Sequence, residues 1–171
     1  MNIELKPGDL FAARSQMLLG RAINVVQQFY SSDNKSEYSH TGFIVNAQGS
    51  TFEANWRVGS QDFYKAYKGE KVLIARHNDM DEDRFFRGFS SVYNKHYKHI
   101  YPFWRLFFFL VPPIAKYVHF LEKPVCSELV AEFLYRAGLR HKNYMGTNVD
   151  TLVDEWRIHD DVEIIFEGVL E

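Results

Sequence analysis

Three observations predict one compact α+β domain. Two β-rich runs, 40–45 and 50–56, flank Asn46-Ala47-Gln48-Gly49, a hairpin signature. Two later segments, 81–97 and 124–138, space their apolar residues three and four apart, as a helix with one buried face requires. No internal repeat, low-complexity stretch or linker divides the chain, so its 171 residues are expected to form one domain, 1–171.

The elements follow in order. Pro7-Gly8-Asp9 is turn chemistry, and Leu10, Phe11 and Ala12 after it predict a loop entering a short strand. Met17, Leu18, Ile23, Val26 and Phe29 keep near-helical spacing and predict a helix over 16–30, ended by the polar run 31–37. The hairpin comes next, and then 71–76 alternates well enough for a third strand, with Gly69-Glu70 as its turn. From Asp81 an acidic first turn opens a helix whose stripe is Phe85, Phe86, Phe89 and Tyr93. Pro124 stands near the first position of a further helix, where its missing N–H costs nothing. Leu129, Phe133, Leu134 and Ala137 give that helix its buried face and Gly138 its stop. The terminal run VEIIFEGVL predicts a last strand.

Composition narrows the function. With 46% hydrophobic and 25% charged residues the chain reads as a soluble globular protein, rich in aromatic residues at 16%. A net charge of -2 without a long basic stripe argues against a nucleic-acid partner. The N-terminus carries early charges and no apolar core, so no signal peptide is expected. The aromatic run 101–121 is broken by Arg105, Pro112, Pro113, Lys116 and His119, well short of the roughly 20 apolar residues a bilayer span needs. A cytoplasmic location is therefore the default expectation.

Cys126 is the only cysteine, so it cannot form an internal disulfide. It lies where a helix begins, and the unpaired N–H groups and positive end of the helix dipole there favour thiolate over thiol. A free cysteine is also among the residues most often simply buried, and both readings stand on the local pattern alone. A thiolate nucleophile needs an imidazole to take and return the proton. Of the seven histidines, six lie near segment ends or in charged and aromatic stretches, whereas His40 opens a strand beside small Thr41 and Gly42. If Asn46 to Gly49 form a four-residue loop, Gly42 faces Glu53 and His40 faces Asn55. Glu53 and His40 then share a face as diagonal neighbours, Cβ atoms about 7 Å apart. A carboxylate there can hold the imidazole in the productive tautomer. Asn55 is the alternative orienting residue, and a loop one residue different would turn Glu53 to the other face.

The order Pro-Gly-Asp at 7–9, Tyr-Ser-His-Thr-Gly at 38–42, Phe-Glu-Ala at 52–54 and Cys-Ser-Glu-Leu-Val at 126–130 resembles the circularly permuted branch of the NlpC-type papain-like superfamily. The match is to the YaeF/YiiX-type amidases, with lecithin:retinol acyltransferase more distant, and it spans roughly residues 6–140. The histidine strand precedes the cysteine helix, the reverse of ordinary papain-like chains. The resemblance implies a small sheet or barrel packed on the cysteine helix, with Cys126 as nucleophile, His40 as base and Glu53 as the orienting third member. Tyr38 matches an aromatic that precedes the histidine in relatives and could offer its hydroxyl to the oxyanion or the thiol; a packed tyrosine is the plain alternative.

The function so implied is a cysteine hydrolase of amide bonds, in peptides, cell-wall peptides or N-acyl groups, working through a thioacyl intermediate. A lipid-directed thiol acyltransferase or esterase is the neighbouring reading, and a non-catalytic module that binds a peptide, lipid or protein in a papain-like groove is the rival from another class. If exposed, the segment 101–121 would be a lid, an acyl-binding wall or a peripheral membrane contact; if buried, it is a crossover in the core. No cofactor is expected. His96 and His99 could share a helix face, but one cysteine and no HExxH or paired-cysteine pattern give no metal site.

Overall fold

The computed structural model describes residues 3–14, 37–55, 57–100, 125–141, 144–145 and 147–171. The expected helix over 16–30, the aromatic run 101–121 and Pro124 lie outside them. The described elements, in chain order, are strands β1 (Leu10–Ala13), β2 (His40–Ile44), β3 (Thr51–Ala54) and β4 (Val58–Gly59), the one-turn helix α1 (Phe63–Ala66), strand β5 (Lys71–His77), helices α2 (Glu82–His96), α3 (Cys126–Ala137) and α4 (Val149–Ile158), and strand β6 (Val162–Val169). The strands form one six-stranded antiparallel sheet in the order β4-β3-β2-β1-β5-β6. The α+β expectation holds, and the cysteine helix α3 packs on the sheet through β2 and β3.

Strand side chains alternate between faces, so a strand buried on both sides must feed two cores. β1 is such a strand. Leu10 and Ala12 join a large cluster with Phe43, Phe52, Leu73 and the helices, whereas Phe11 and Ala13 join a smaller one with Ile44, Phe63, Tyr67, Val72 and Ile74. In the large core the rings of Phe43 and Phe133 stack 4.0 Å apart at 9°, with Phe52, Phe85 and Phe89 around them. Each fully buried phenylalanine contributes about 1.5–3 kcal/mol, which accounts for the use this chain makes of that residue. Gly88 lets α2 lie directly on α3, because a Cβ there would stand 2.9 Å from the Phe133 carbonyl oxygen.

Local chemistry sets the ends of the elements. Asp81 caps α2 by accepting from the Arg84 N–H at 2.7 Å, ahead of Glu82 and Asp83 in the acidic first turn. Gly138, at φ +75°, ends α3 as the left-handed residue that glycine supplies at least cost. In the Pro7-Gly8-Asp9 turn, buried Asp9 accepts from Arg76 Nε and Nη2 at 2.7 and 2.8 Å and from the Lys6 N–H at 2.7 Å. That motif is structural: it ties the approach to β1 onto β5.

Two helices in the structure carry no expectation from the sequence reading. α1 is a single turn held by burial of Phe63 and by its Asp62 cap. α4 is capped by Asn148, which accepts from the Thr151 N–H at 2.7 Å, and it buries Val149, Leu152, Val153 and Trp156.

Candidate active site

The β2–β3 hairpin sets the site's geometry. Asn46 Oδ1 accepts from the Gln48 and Ser50 N–H groups at 3.1 and 3.0 Å, and Gly49 turns the chain at φ +85°. This four-residue loop puts Gly42 opposite Glu53, the register expected from the sequence. His40 and Glu53 then meet on one face, with His40 Nε2 2.6 Å from Glu53 Oε2. Asn55, the alternative orienting residue, is an exposed bend residue after β3. Glycine at 42 is required sterically, because a Cβ would lie 2.7 Å from the Phe11 ring and 2.8 Å from Glu53 Cβ.

Glu53 is buried, and its oxygens are well supplied with donors. Thr51, two residues earlier on the same face of β3, donates Oγ1–H to Oε1 at 2.5 Å. The Gln61 carbonyl lies farther from that hydroxyl, at 3.2 Å, so the single proton goes to the carboxylate. Tyr67, just past α1, donates its hydroxyl to Oε2, the oxygen that also accepts from His40. Burial pushes the Glu53 carboxyl up, but the hydrogen bond and charge of His40, with the Thr51 and Tyr67 hydroxyls, hold it below the usual range.

Cys126 comes from the other side, as the first residue of α3, and its thiol is buried among the large core's residues. The first turn is pinned around it: the Glu128 carboxylate accepts from the Val125 N–H at 3.1 Å, and Ser127 Oγ donates to the Thr147 carbonyl at 2.6 Å. The thiol stands beside the His40 ring, near enough to act on its protonation. Burial alone would push the imidazolium down; the hydrogen bonds and negative charges of Cys126 and Glu53 outweigh it and raise His40 to about 10. The His40 side chain is 14% exposed, so the pair is nearly sealed yet reachable.

Cys126, His40 and Glu53 are thus brought together. Tyr38 is turned elsewhere: it is buried, and its hydroxyl donates to Glu167 Oε1 on β6 at 2.8 Å. Burial and the Glu167 carboxylate both raise the phenol, so its proton stays in that bond and is not offered to the thiol or an oxyanion. Sequence reasoning missed Thr51 and Tyr67. The i, i+2 spacing of Thr51 and Glu53 was a usable signal; nothing local marks Tyr67.

His96 Nε2 lies 2.8 Å from Glu132 Oε2, and the rings of His96 and His99 are 6.0 Å apart, edge to face. Among the described residues no group of three His, Cys, Asp or Glu side chains is arranged to hold a metal ion. Nor is any helix among them long and apolar enough to cross a membrane.

No protein-family model matches the chain, and no curated protein does. Among solved structures it is similar to the metalloprotein YiiX from Escherichia coli O157:H7, DUF1105, with a TM-score of 0.59 and 17% identity over 99% of this chain and 90% of that one. At that identity the likeness is one of fold, and the chain has a YiiX-like fold.

Proposed function

We propose that this chain is a cysteine hydrolase of amide or related acyl bonds, of the circularly permuted papain-like type. The observation that carries the reading is His40, held by the Glu53 carboxylate on Nε2 at 2.6 Å and close enough to the Cys126 thiol to share its charge. A nucleophile, a base and an orienting acid in that order are the parts covalent acyl transfer needs. The YiiX-like fold and the passage of the chain from histidine strand to cysteine helix support the permuted assignment.

In this mechanism His40 takes the Cys126 proton and the thiolate attacks the carbonyl carbon. The S–C bond forms as the carbonyl pair moves to oxygen, near the N–H groups at the start of α3. Collapse breaks the C–N bond, and the departing nitrogen takes the proton from the His40 imidazolium. Water then attacks the thioester, giving a proton to His40, and breakage of the C–S bond releases the acid. An alcohol or amine in place of water makes the same site an acyltransferase. YiiX is a metalloprotein; among the described residues of this chain no group of three His, Cys, Asp or Glu side chains is arranged to hold a metal ion.

The test is the rate of Cys126 alkylation by iodoacetamide across pH, on the native chain and on His40→Ala. Fast alkylation near neutral pH that is lost in the variant supports the hydrolase. A slow reaction indifferent to His40 identifies a structural thiol, and with it a non-catalytic binding module.

A further inference from the structure

We infer that Tyr67, together with Thr51, is a positioning residue for the hydrolase proposed above: its hydroxyl holds the carboxylate oxygen of Glu53 that His40 uses. The inference rests on that functional reading and adds a member to the site.

A carboxylate offers about four lone-pair positions. Among the described residues three are taken: Oε1 accepts from Thr51, and Oε2 accepts from both His40 and Tyr67. The direction of the Tyr67 bond follows from Glu53 itself, because an ionised carboxylate can only accept and the phenol must therefore donate. Burial and the Glu53 charge raise the Tyr67 hydroxyl well above its ordinary value, so it remains a donor throughout the working range. The ring supports the same geometry, lying 6.2 Å from the His40 ring at 22° and 5.1 and 5.5 Å from Phe11 and Phe63. The hydroxyls of Tyr67 and Thr51 therefore converge on the carboxylate that His40 uses, and each of them is a donor to it.

A donor to a carboxylate stabilises its charged form. Without the Tyr67 hydroxyl, Glu53 protonates at higher pH, and the imidazolium beside Cys126 loses its anchor there. The experiment compares pH profiles of Cys126 alkylation by iodoacetamide for the native chain, Tyr67→Phe, Thr51→Val and His40→Ala. Tyr67→Phe keeps the ring and loses only the hydroxyl; its acid limb should move up by about one pH unit. Thr51→Val, which removes the donor to the other oxygen, should move it in the same direction. A Tyr67→Phe profile that overlays the native one, while His40→Ala is slow, overturns the positioning role and leaves the hydrolase reading intact. If His40→Ala also overlays the native profile, the hydrolase reading fails first. Should Tyr67→Phe not fold, the Thr51→Val profile decides, and an overlay there overturns the inference.

Discussion

Among the described residues stand two buried histidine–glutamate pairs, and they differ in what lies around the imidazole and the carboxylate. His40 and Glu53 are 2.6 Å apart, His96 and Glu132 2.8 Å apart, and both carboxylates are held below their usual range. At the first pair the imidazole also stands beside Cys126, and the carboxylate is served by neutral hydroxyls, Thr51 and Tyr67. At the second, between α2 and α3, His96 Nδ1 is buried with no hydrogen-bond partner among the described residues, and Glu132 is served by cations, Lys95 at 2.9 Å and Arg136 at 3.5 Å. A histidine on a carboxylate is therefore no mark of catalysis in itself. Cationic partners clamp two helices together; hydroxyl partners orient a carboxylate and leave its charge to the imidazole, which can then share a proton with a thiol.

The largest expected difference is in reactivity. His40→Ala should slow Cys126 alkylation near pH 7 by roughly tenfold or more, whereas His96→Ala should leave it within about twofold. Comparable losses in both variants would erase the distinction drawn here.

Stability should respond in the opposite order. Glu132→Ala strands a buried histidine and a half-exposed lysine without their anion, so urea unfolding should show a loss of about 3–5 kcal/mol with the alkylation profile unchanged. The acid side sharpens this. Burial pushes Glu132 up, but His96 and Lys95 hold it down at about 2, against 4.5 for the free group. A depressed carboxyl stabilises the fold above its unfolded value and loses that contribution as pH falls through its folded value. Roughly 3 kcal/mol should therefore vanish between pH 4.5 and 2, and Glu132→Gln should flatten that slope. Glu53 and Glu167 act with the same sign, so a smaller slope should remain in Glu132→Gln.

Smaller and mixed is the effect of Gly42→Ala. Its methyl meets the Phe11 ring and Glu53 Cβ below 3 Å, which should cost about 1–3 kcal/mol and slow alkylation by displacing Glu53. The mirror substitution at the second pair is Gly88→Ala, where the Phe133 backbone blocks the methyl; it should destabilise without touching the alkylation profile.

Much of this was legible in the chain. The Asn46–Gly49 loop carries its own register in an Asx turn and a glycine, so the His40–Glu53 pairing followed from counting residues. Asp81 and Gly138 marked real helix ends. The spacing of Val149, Leu152, Val153 and Trp156 behind Asn148 was an equally good helix signal and went unread. Tyr38 misled because its neighbour in sequence is His40, while its hydroxyl partner, Glu167, is on the last strand.

By itself, then, the sequence determined the hairpin, the helix ends and the residue types the chemistry needs, because each depends on torsions and hydrogen bonds within a few residues. Only the tertiary structure decided which histidine meets the thiol and which tyrosine holds the carboxylate. His40 reaches Cys126 because α3 packs on β2 and β3 and delivers its N-terminus to the end of the sheet, and Tyr67 reaches Glu53 because a one-turn helix is held against Phe11 and Phe63. Those are contacts between surfaces far apart in the chain, set by how apolar side chains fill two cores, and no local pattern encodes them.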